Sequence, residues 1–339
     1  MKLITFSVQT HLGTQTRIGA LLGDKALDLN FAYAAMLHDS GKTERYYPLA
    51  EALVPSDMIT FLQGGEQSMS AAKQAIEFVQ QRRANNQALR GPDKQILLYA
   101  LKDIELLAPV TNPGSIRDTI SFETHAKNFE KRTGKPIPEL WYQQPLYYKG
   151  NTRTVVGHNT EVPWPNYTEK LDYELEFGVY IGKTGSNIKA ENAHAYIAGY
   201  TIFNDISARD VLQKEITMLL GPAKGKDMDM GNVMGPCLVT PDELDPSSLD
   251  MQARINGEVW STGNSSDMYW SFAKIIEYIS QSETLYPGDF IGSGTVAFGC
   301  GDELDRWVQP GDVIELEVQG IGVLTTTVGQ RTCNTKTIT

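Results

Sequence analysis

The sequence predicts a mainly β protein with some helix (α+β), and three observations support this. Residues 172–181 alternate apolar and polar side chains with the period of two that is typical of a strand. From Ser115 onward, short β-rich runs are separated by Gly and Pro. Residues 286–291 and 309–314 both place Pro-Gly-Asp before an apolar run, which predicts a tight turn that enters a strand.

The first 110 residues are predicted to form a small, β-rich N-terminal domain. Its predicted elements are strands at residues 2–8, 16–22 and 96–101 and a helix at residues 69–83. Pro109, Pro113 and Gly114 follow these elements and indicate a boundary. The chain of 339 residues is long enough for two domains.

Residues 115–330 are predicted to form a second, catalytic domain. Two helical patterns interrupt its β-rich texture, at residues 205–220 and 271–280. Residues 331–339 are polar and are expected to form a tail outside the fold.

The composition argues against a protein that binds nucleic acid, spans a membrane or depends on disulfide bonds. The formal net charge of −11 disfavours binding to nucleic acid or to an anionic membrane surface. No run approaches the 18 or so apolar residues of a membrane span, and the first residues lack the apolar core of a signal peptide. Cys237, Cys300 and Cys333 are too few and too scattered for a disulfide framework. We therefore expect a cytoplasmic protein.

The segment from Asp172 to Ile181 carries the first candidate site residues. In a strand, Glu174 and Glu176 point to the same face, about 6.6 Å apart along the chain. Two like charges at that distance repel each other unless water or a cation separates them. The alternative is a half-buried strand with one solvent-exposed face. Glu315 and Glu317 repeat the Glu-Leu-Glu pattern in a strand that has no other candidate site residues nearby in the sequence.

Asp118 and His125 form a second candidate pair. Their separation of seven residues is about two helical turns, so on a helix both would face the same way. The alternative is an N-capping Asp and a surface His.

Residues 203–210 and 221–227 supply further polar groups. Asp205 or Ser207 is either part of a site or the N-cap of the predicted helix. Lys224 and Lys226 lie beside glycines, in a loop that suits either a ligand or an exposed turn. The loop lacks the spacing of a phosphate-binding Walker A sequence, which excludes that type of nucleotide site.

The small residues 291–295 form the last candidate segment, with Glu303 downstream. Small residues after a strand let backbone N–H groups approach an anionic group, although a plain β-turn explains the same pattern.

In their order and spacing, these segments resemble the fumarylacetoacetate hydrolase superfamily, as a long bacterial-type member. The resemblance covers residues 115–328, and it implies that the second domain is a mixed β-roll or barrel of that type. The matching residues are Asp118 with His125, Tyr148-Lys149-Gly150, Glu174-Leu175-Glu176, residues 204–210, Gly221-Pro222 with Gly225-Lys226, Gly235-Pro236 and residues 292–295.

The resemblance also implies roles for individual residues. The implied metal ligands are Asp118, Glu174, Glu176 and Asp205, and the implied catalytic residues are His125 as base, Glu303 as its orienting partner and Lys226. The implied substrate-binding residues are Arg209, Tyr148 and Thr295. An all-carboxylate set suits one divalent cation, Mg²⁺ or Ca²⁺ with Mn²⁺ as an alternative, rather than zinc. Such a cation would also relieve the repulsion between the glutamates.

The function implied by the resemblance is hydrolysis of a carbon–carbon bond in a small diketo acid, fumarylacetoacetate or an acylpyruvate, with His125 activating water. Two alternatives remain. One is decarboxylation, dehydration or isomerisation of a 2-oxo acid such as oxaloacetate on the same metal platform, and the other is a non-catalytic Ca²⁺-binding module. Ile120 and Leu212 stand where diketone-cleaving members have Tyr and Gln, so the chain departs from the diketone-cleaving pattern at two positions. The resemblance further implies a homodimer that takes a small anionic keto acid.

Overall fold

The computed structural model describes residues 1–11, 13–218 and 221–331. The predicted tail at residues 331–339 lies outside the described residues except for Arg331, as do Cys333 and the end of the predicted helix at residues 205–220. None of the described helices is both long enough and apolar enough to cross a membrane.

The described residues form the following elements. The strands are β1 Lys2–Thr10, β2 Gly13–Leu22, β3 Lys25–Asp28, β4 Leu98–Ala100, β5 Glu105–Leu107, β6 Ile116–Thr119, β7 Tyr147–Gly150, β8 Val155–Val156, β9 Thr160–Trp164, β10 Leu171–Asp172, β11 Leu175–Ile181, β12 Ile197–Asp205, β13 Ser207–Ala208, β14 Asn232–Val239, β15 Asp250–Ile255, β16 Glu258–Asn264, β17 Phe290–Gly292, β18 Val313–Val318 and β19 Gly322–Arg331. The α-helices are α1 Leu29–Ser40, α2 Tyr46–Leu53, α3 Met58–Gln63, α4 Gly65–Ala84, α5 Glu123–Thr133, α6 Glu139–Gln143, α7 Arg209–Glu215, α8 Phe272–Ile279 and α9 Gly301–Leu304. Short 3₁₀ turns lie at Leu101–Asp103, Thr152–Thr154, Ala190–Tyr196, Ile216–Met218 and Ser265–Asp267.

Most strands belong to one 12-stranded mixed sheet. Its main path runs β4-β3-β2-β1-β14-β12-β11-β17-β6-β7, with β5 beside β1 and β8 beside β14. A second sheet of five strands has the order β16-β15-β18-β19-β9, and β10 pairs with β13. The pairs β6–β17, β8–β14 and β9–β19 are parallel. The prediction of a mainly β, mixed fold is confirmed.

Two apolar cores stabilise this arrangement. One contains Phe177 of β11, Ala253 of β15 and Leu316 of β18, so it lies between the large and the five-stranded sheets. The other contains Tyr180 of β11 together with apolar residues of α1 and α4, so it lies under the N-terminal helices. Strand β11 is thus covered on both faces, which explains why each of its residues is buried. The interpretation of residues 172–181 as a half-buried strand with a wet face is wrong.

The N-terminal segment contributes both strands and helices. Strands β1 and β2 and helix α4 form at the predicted places, and β4 and α8 lie within the predicted residues 96–101 and 271–280. Strand β1 pairs with β14, with Lys2 opposite Val239, so the large sheet continues from the N-terminal segment into the rest of the chain. The domain boundary at residues 110–115 stays a prediction.

Two local expectations are wrong. Asp118 belongs to strand β6 and His125 to helix α5, which begins at Glu123, so they do not share a helical face. Neither Asp205 nor Ser207 caps a helix, because β12 continues to Asp205 and α7 begins only at Arg209. In both places strand pairing in the large sheet overrides the local helical pattern.

Candidate metal and catalytic site

Three carboxylates from three strands meet in the large sheet. Asp118 lies in β6, Glu176 in β11 and Asp205 at the end of β12, and one oxygen of each lies within 4.8 Å of the other two. Strand β17 runs between β6 and β11, with Gly292 opposite both Asp118 and Gly178. All three side chains are buried. The fold therefore concentrates negative charge at one point.

Gly292 makes the close approach of these carboxylates possible. A Cβ atom at this position would lie 2.2 Å from Oδ1 of Asp118 and 3.3 Å from Oε2 of Glu176. Residues 291–295 were predicted as a turn or an anion-binding segment, with Thr295 as a substrate-binding residue. The structure shows that the glycine provides space beside the carboxylates.

Burial and mutual repulsion raise the affinity of this cluster for protons. Burial, and then the neighbouring Asp205, raise the pKa of Asp118 to about 7. Burial likewise raises the pKa of Asp205 to about 6, although Lys226 opposes the shift. The pKa of Glu176 lies well above its usual value, because it is buried and three further carboxylates surround it. Without a cation, part of the cluster is protonated near neutral pH.

The cluster fits a hard divalent cation. Oε2 of Glu176 and Oδ1 of Asp205 are buried and accept no hydrogen bond within the described residues. A buried carboxylate oxygen without a donor is costly, and a cation would satisfy it. Oxygen donors of this kind are the ligands that Mg²⁺, Ca²⁺ and Mn²⁺ prefer. Asp118, Glu176 and Asp205 would hold such an ion.

Glu174, the fourth predicted ligand, has different partners. Its Oε2 accepts from Nζ of Lys226 at 2.6 Å, and its Oε1 lies 2.8 Å from the guanidinium of Arg209. Burial favours the protonated form, but the two cations hold the pKa of Glu174 below its usual value. Glu174 is therefore a charged carboxylate held by two cations, and its role as a metal ligand stays a prediction.

Lys226 bridges Glu174 and Asp205. Its Nζ also donates to Oδ2 of Asp205 at 2.5 Å, and its side chain is almost fully buried. Burial alone would lower the pKa of Lys226, but the two carboxylates raise it above its usual value. The lysine is a fixed positive charge next to the cluster.

Arg209 is held by Asp172. Nε of Arg209 donates to Oδ2 of Asp172 at 2.8 Å, and Asp172 also accepts from the backbone N–H groups of Gly301 and Asp302. Asp172 thus ties the arginine to the start of α9, two residues before Glu303. This role of Asp172 was not predicted, although the residue opens the segment that contains Glu174 and Glu176.

His125 and Glu303 form a dyad within electrostatic reach of Glu174. Nδ1 of His125 lies 2.9 Å from Oε2 of Glu303, and Asn128 donates to the other carboxylate oxygen at 2.8 Å. Burial would raise the pKa of Glu303, but these hydrogen bonds hold it below its usual value. A charged carboxylate at Nδ1 requires that this nitrogen carries the proton, which leaves Nε2 free to accept one. Asn128 was not predicted, although it follows His125 at helical spacing.

The remaining predicted residues lie around the carboxylates. The hydroxyl of Tyr148 donates to Oδ2 of Asp205 at 2.5 Å, and that of Thr295 to Oε1 of Glu176 at 3.3 Å. Both groups therefore contact the candidate metal ligands, and their predicted contacts with a substrate stay predictions.

Ile120 and Leu212 mark the two departures from the diketone-cleaving pattern. The carbonyl of Ile120 accepts from the indole of Trp141 at 2.8 Å. Leu212 lines a cavity of about 120 Å³, together with His125 and Glu303. An apolar side chain thus stands beside the dyad at one of the two positions that depart from the diketone-cleaving pattern.

The protein without metal is expected to lose stability as the pH rises from about 4 to about 7. Asp118 and Asp205 have pKa values above the usual 3.8 of Asp. The folded state therefore keeps protons on Asp118 and Asp205 at pH values where the unfolded chain has released them, and this difference stabilises the fold. The stabilisation is lost once the two carboxyl groups ionise in the folded state as well. Thermal melts with a chelator between about pH 5 and pH 8 measure the effect. With saturating Mg²⁺ this pH dependence should disappear over the same range, because the metal-bound carboxylates and those of the unfolded chain are both ionised. Flat melting temperatures in chelator would contradict the proposed cluster.

Replacing Gly292 with alanine is expected to weaken metal binding by roughly tenfold or more, because the new methyl group displaces the Asp118 carboxylate. Calorimetric titration of the variant with Mg²⁺ and Mn²⁺ measures the loss, and circular dichroism checks that the fold is retained. Wild-type affinity in a folded variant would show that the ion binds elsewhere.

Comparison with known proteins agrees with this architecture. Residues 115–329 match the family described as "Fumarylacetoacetate (FAA) hydrolase C-terminal". Oxaloacetate tautomerase YisK of Bacillus subtilis is 31% identical over 81% of this chain and 87% of its own length. The mitochondrial oxaloacetate tautomerase FAHD2A of Homo sapiens is 31% identical over 80% of this chain and 79% of its own length.

Among solved structures, the fumarylacetoacetate hydrolase of Exiguobacterium antarcticum superposes with a TM-score of 0.67. Its sequence is 23% identical, and the match covers 97% of this chain and 100% of the other. This likeness shows the fold. The family match and the two relatives show more: the chain belongs to the fumarylacetoacetate hydrolase family, an enzyme superfamily.

Proposed function

We propose that this protein is a metal-dependent tautomerase that interconverts the enol and keto forms of a small 2-oxo dicarboxylic acid, with oxaloacetate as the best candidate. The observation that carries the proposal is the His125–Glu303 dyad within electrostatic reach of Glu174, which Lys226 connects to a buried set of carboxylates suited to a hard cation. Two relatives named oxaloacetate tautomerases, each 31% identical over most of this chain, support it. This reaction belongs to the 2-oxo-acid alternative rather than to the diketone hydrolysis first expected.

The dyad supplies the proton transfer that the reaction needs. In the keto-to-enol direction, Nε2 of His125 takes a proton from C3 and returns it to the oxygen on C2, so no other reactant is consumed. Glu303 at Nδ1 stabilises the imidazolium that forms in between. A divalent cation held by Asp118, Glu176 and Asp205 would stabilise negative charge on the C2 oxygen.

Positive side chains contribute to the same stabilisation. Lys226 and Arg209 are buried, and they contact Glu174 from two sides. Since they carry positive charge in a site of low water content, they favour an anionic substrate and an enolate over the neutral ketone.

A small cavity with a partly apolar lining lies at His125. The cavity at His125 has a volume of about 120 Å³, well below the roughly 300–1,000 Å³ of ordinary ligand pockets. Leu212 and Ile216 line it together with Arg209.

The test follows the enol form of oxaloacetate by its ultraviolet absorbance in the presence of Mg²⁺. We expect its decay to keto product to be faster with enzyme than without, and the acceleration to disappear with chelator. Parallel incubations follow pyruvate release and the cleavage of fumarylacetoacetate and acetylpyruvate. If the enol decays at its uncatalysed rate while a diketone is cleaved, the protein is a hydrolase and not a tautomerase.

Hydrolysis of a diketo acid is the second candidate function, because the same dyad can activate a water molecule. It predicts the uptake of one oxygen atom from labelled water into a carboxylate product, which tautomerisation does not. Pyruvate release without diketone cleavage would instead indicate decarboxylation.

We also propose, from the family resemblance alone, that the protein is a homodimer. Sedimentation velocity at micromolar concentration is expected to give twice the mass of the 37.6 kDa chain. A monomer at that concentration would contradict the proposal.

A further inference from the structure

A second group of metal-ligating side chains lies outside the carboxylate cluster. His125, Cys300 and Glu303 each offer one donor atom, and the three donors lie within 4.8 Å of one another. Oε2 of Glu303 is 2.9 Å from Nδ1 of His125 and 3.4 Å from Sγ of Cys300. No residue of this group belongs to the Asp118, Glu176 and Asp205 set.

The fold keeps these donors together. Glu174 pairs with Cys300 in an isolated β-bridge, and the N–H of Leu175 donates to the carbonyl of Gly299, which fixes the chain just before α9. Helix α9 then carries Glu303, while α5 carries His125. The arrangement is built from backbone contacts in the core and not from a loop at the surface.

The two groups differ in chemical hardness. Imidazole, thiolate and carboxylate together form a donor set that zinc prefers, whereas Mg²⁺ and Ca²⁺ take oxygen ligands. A thiolate and a carboxylate would balance the two positive charges of Zn²⁺, with His125 as a neutral ligand. A neutral assembly suits this location, since Cys300 is buried and Glu303 is nearly so.

The trio is also accessible to an ion. All three residues line the cavity of about 120 Å³, and the His125 side chain is 14% exposed. Three protein ligands leave one position of a tetrahedral zinc site for water from the cavity.

We propose that His125, Cys300 and Glu303 form a second metal site that binds Zn²⁺, and that zinc at this site inhibits the enzyme. On binding, the Cys300 thiol releases its proton to solvent, and no electron is transferred. The ion occupies His125, so this side chain can no longer carry a proton. The inhibition rests on the proposed role of His125, whereas the binding of zinc does not.

Cobalt substitution tests the binding without any assay of activity. Co²⁺ is added to protein saturated with Mg²⁺, and the sulfur-to-cobalt charge-transfer band in the near ultraviolet is recorded. We expect one band per chain in the wild type, its displacement by one equivalent of Zn²⁺, and its absence in Cys300→Ser. Cys237→Ser is the matched control, because Cys237 is equally buried but lies in β14. A band that survives in Cys300→Ser would overturn the site.

Inhibition is measured against each variant's own rate without zinc. Zinc is expected to inhibit the wild type and Cys237→Ser equally, and to require at least a tenfold higher concentration with Cys300→Ser. Additional Mg²⁺ should not restore the rate. Relief by Mg²⁺, with equal inhibition of all three proteins, would place zinc at the carboxylate cluster and overturn the proposal. If the cobalt band behaves as expected but zinc leaves turnover unchanged, the site stands as a binding site, and the inhibition, together with the role of His125, is wrong.

Discussion

Replacing Glu176 with alanine is expected to abolish metal-dependent turnover, with a loss of at least about 100-fold, because even outer partners of a metal typically contribute 10–100-fold. Glu176 is fully buried, and its Oε2 accepts no hydrogen bond within the described part of the chain. Asp118 lies close to it, and its Oε1 accepts a hydrogen bond from Thr295. Turnover of enol-oxaloacetate across a range of Mg²⁺ concentrations measures the loss.

A physical readout accompanies this prediction. An ion that binds only the folded state stabilises the wild type by about 2.7 kcal/mol at 100 times its dissociation constant. The Glu176→Ala variant should gain nothing from Mg²⁺ in thermal melts, although it remains folded. Such a result separates loss of the metal from loss of the fold.

The chain supplies a matched control for Glu176. Glu317 occurs in the same Glu-Leu-Glu pattern, but it lies in β18 and pairs with Arg254 at 2.6 Å at the protein surface. Glu317→Ala should keep both the metal-dependent stabilisation and the turnover. Full activity of Glu176→Ala would show that the metal site is misplaced.

Replacing His125 with alanine is expected to slow turnover by about 10²- to 10⁴-fold, the range typical of a lost general acid–base group. Metal affinity should change little, because His125 belongs to the dyad with Glu303 and not to the three carboxylates. Steady-state kinetics on enol-oxaloacetate and calorimetric titration with Mg²⁺ measure the two effects separately.

His194 is the matched control for His125. It lies in the exposed 3₁₀ turn Ala190–Tyr196, and His194→Ala should retain wild-type rates. If His125→Ala retained its turnover while Glu176→Ala lost it, the metal platform would stand but His125 would not be the proton carrier.

Local patterns in the sequence predicted several elements correctly. Strands β1 and β2 and helices α4 and α8 form where period-two or helical spacing predicted them, because their side chains have one dominant apolar face or run. Patterns failed next to the candidate site. Asp118 and Asp205 lie in strands and not at helix starts, since pairing with β17 and β14 holds their backbones extended. These conformations therefore depend on pairing with strands that lie far away in the sequence.

The amino-acid sequence alone identifies the side chains that are available to the site and the family that they resemble. Asp118, Glu176 and Asp205 were selected on that basis, and the structure brings them within 4.8 Å of one another. Which charged side chains pair with one another depends on the tertiary structure. It places Lys226 and Arg209 on Glu174, and it places Asn128 on Glu303.

Charge pairing and pKa values depend on distances between side chains in the folded structure, which the order of residues does not give. The pKa of a buried carboxylate depends on burial and on the charges within a few ångströms, and strands far apart in sequence set both. Asp172 received no role from the sequence, yet it fixes Arg209 and the start of α9 at once. The same holds for the group of His125, Cys300 and Glu303, whose members are up to 178 residues apart along the chain and share one cavity in the fold.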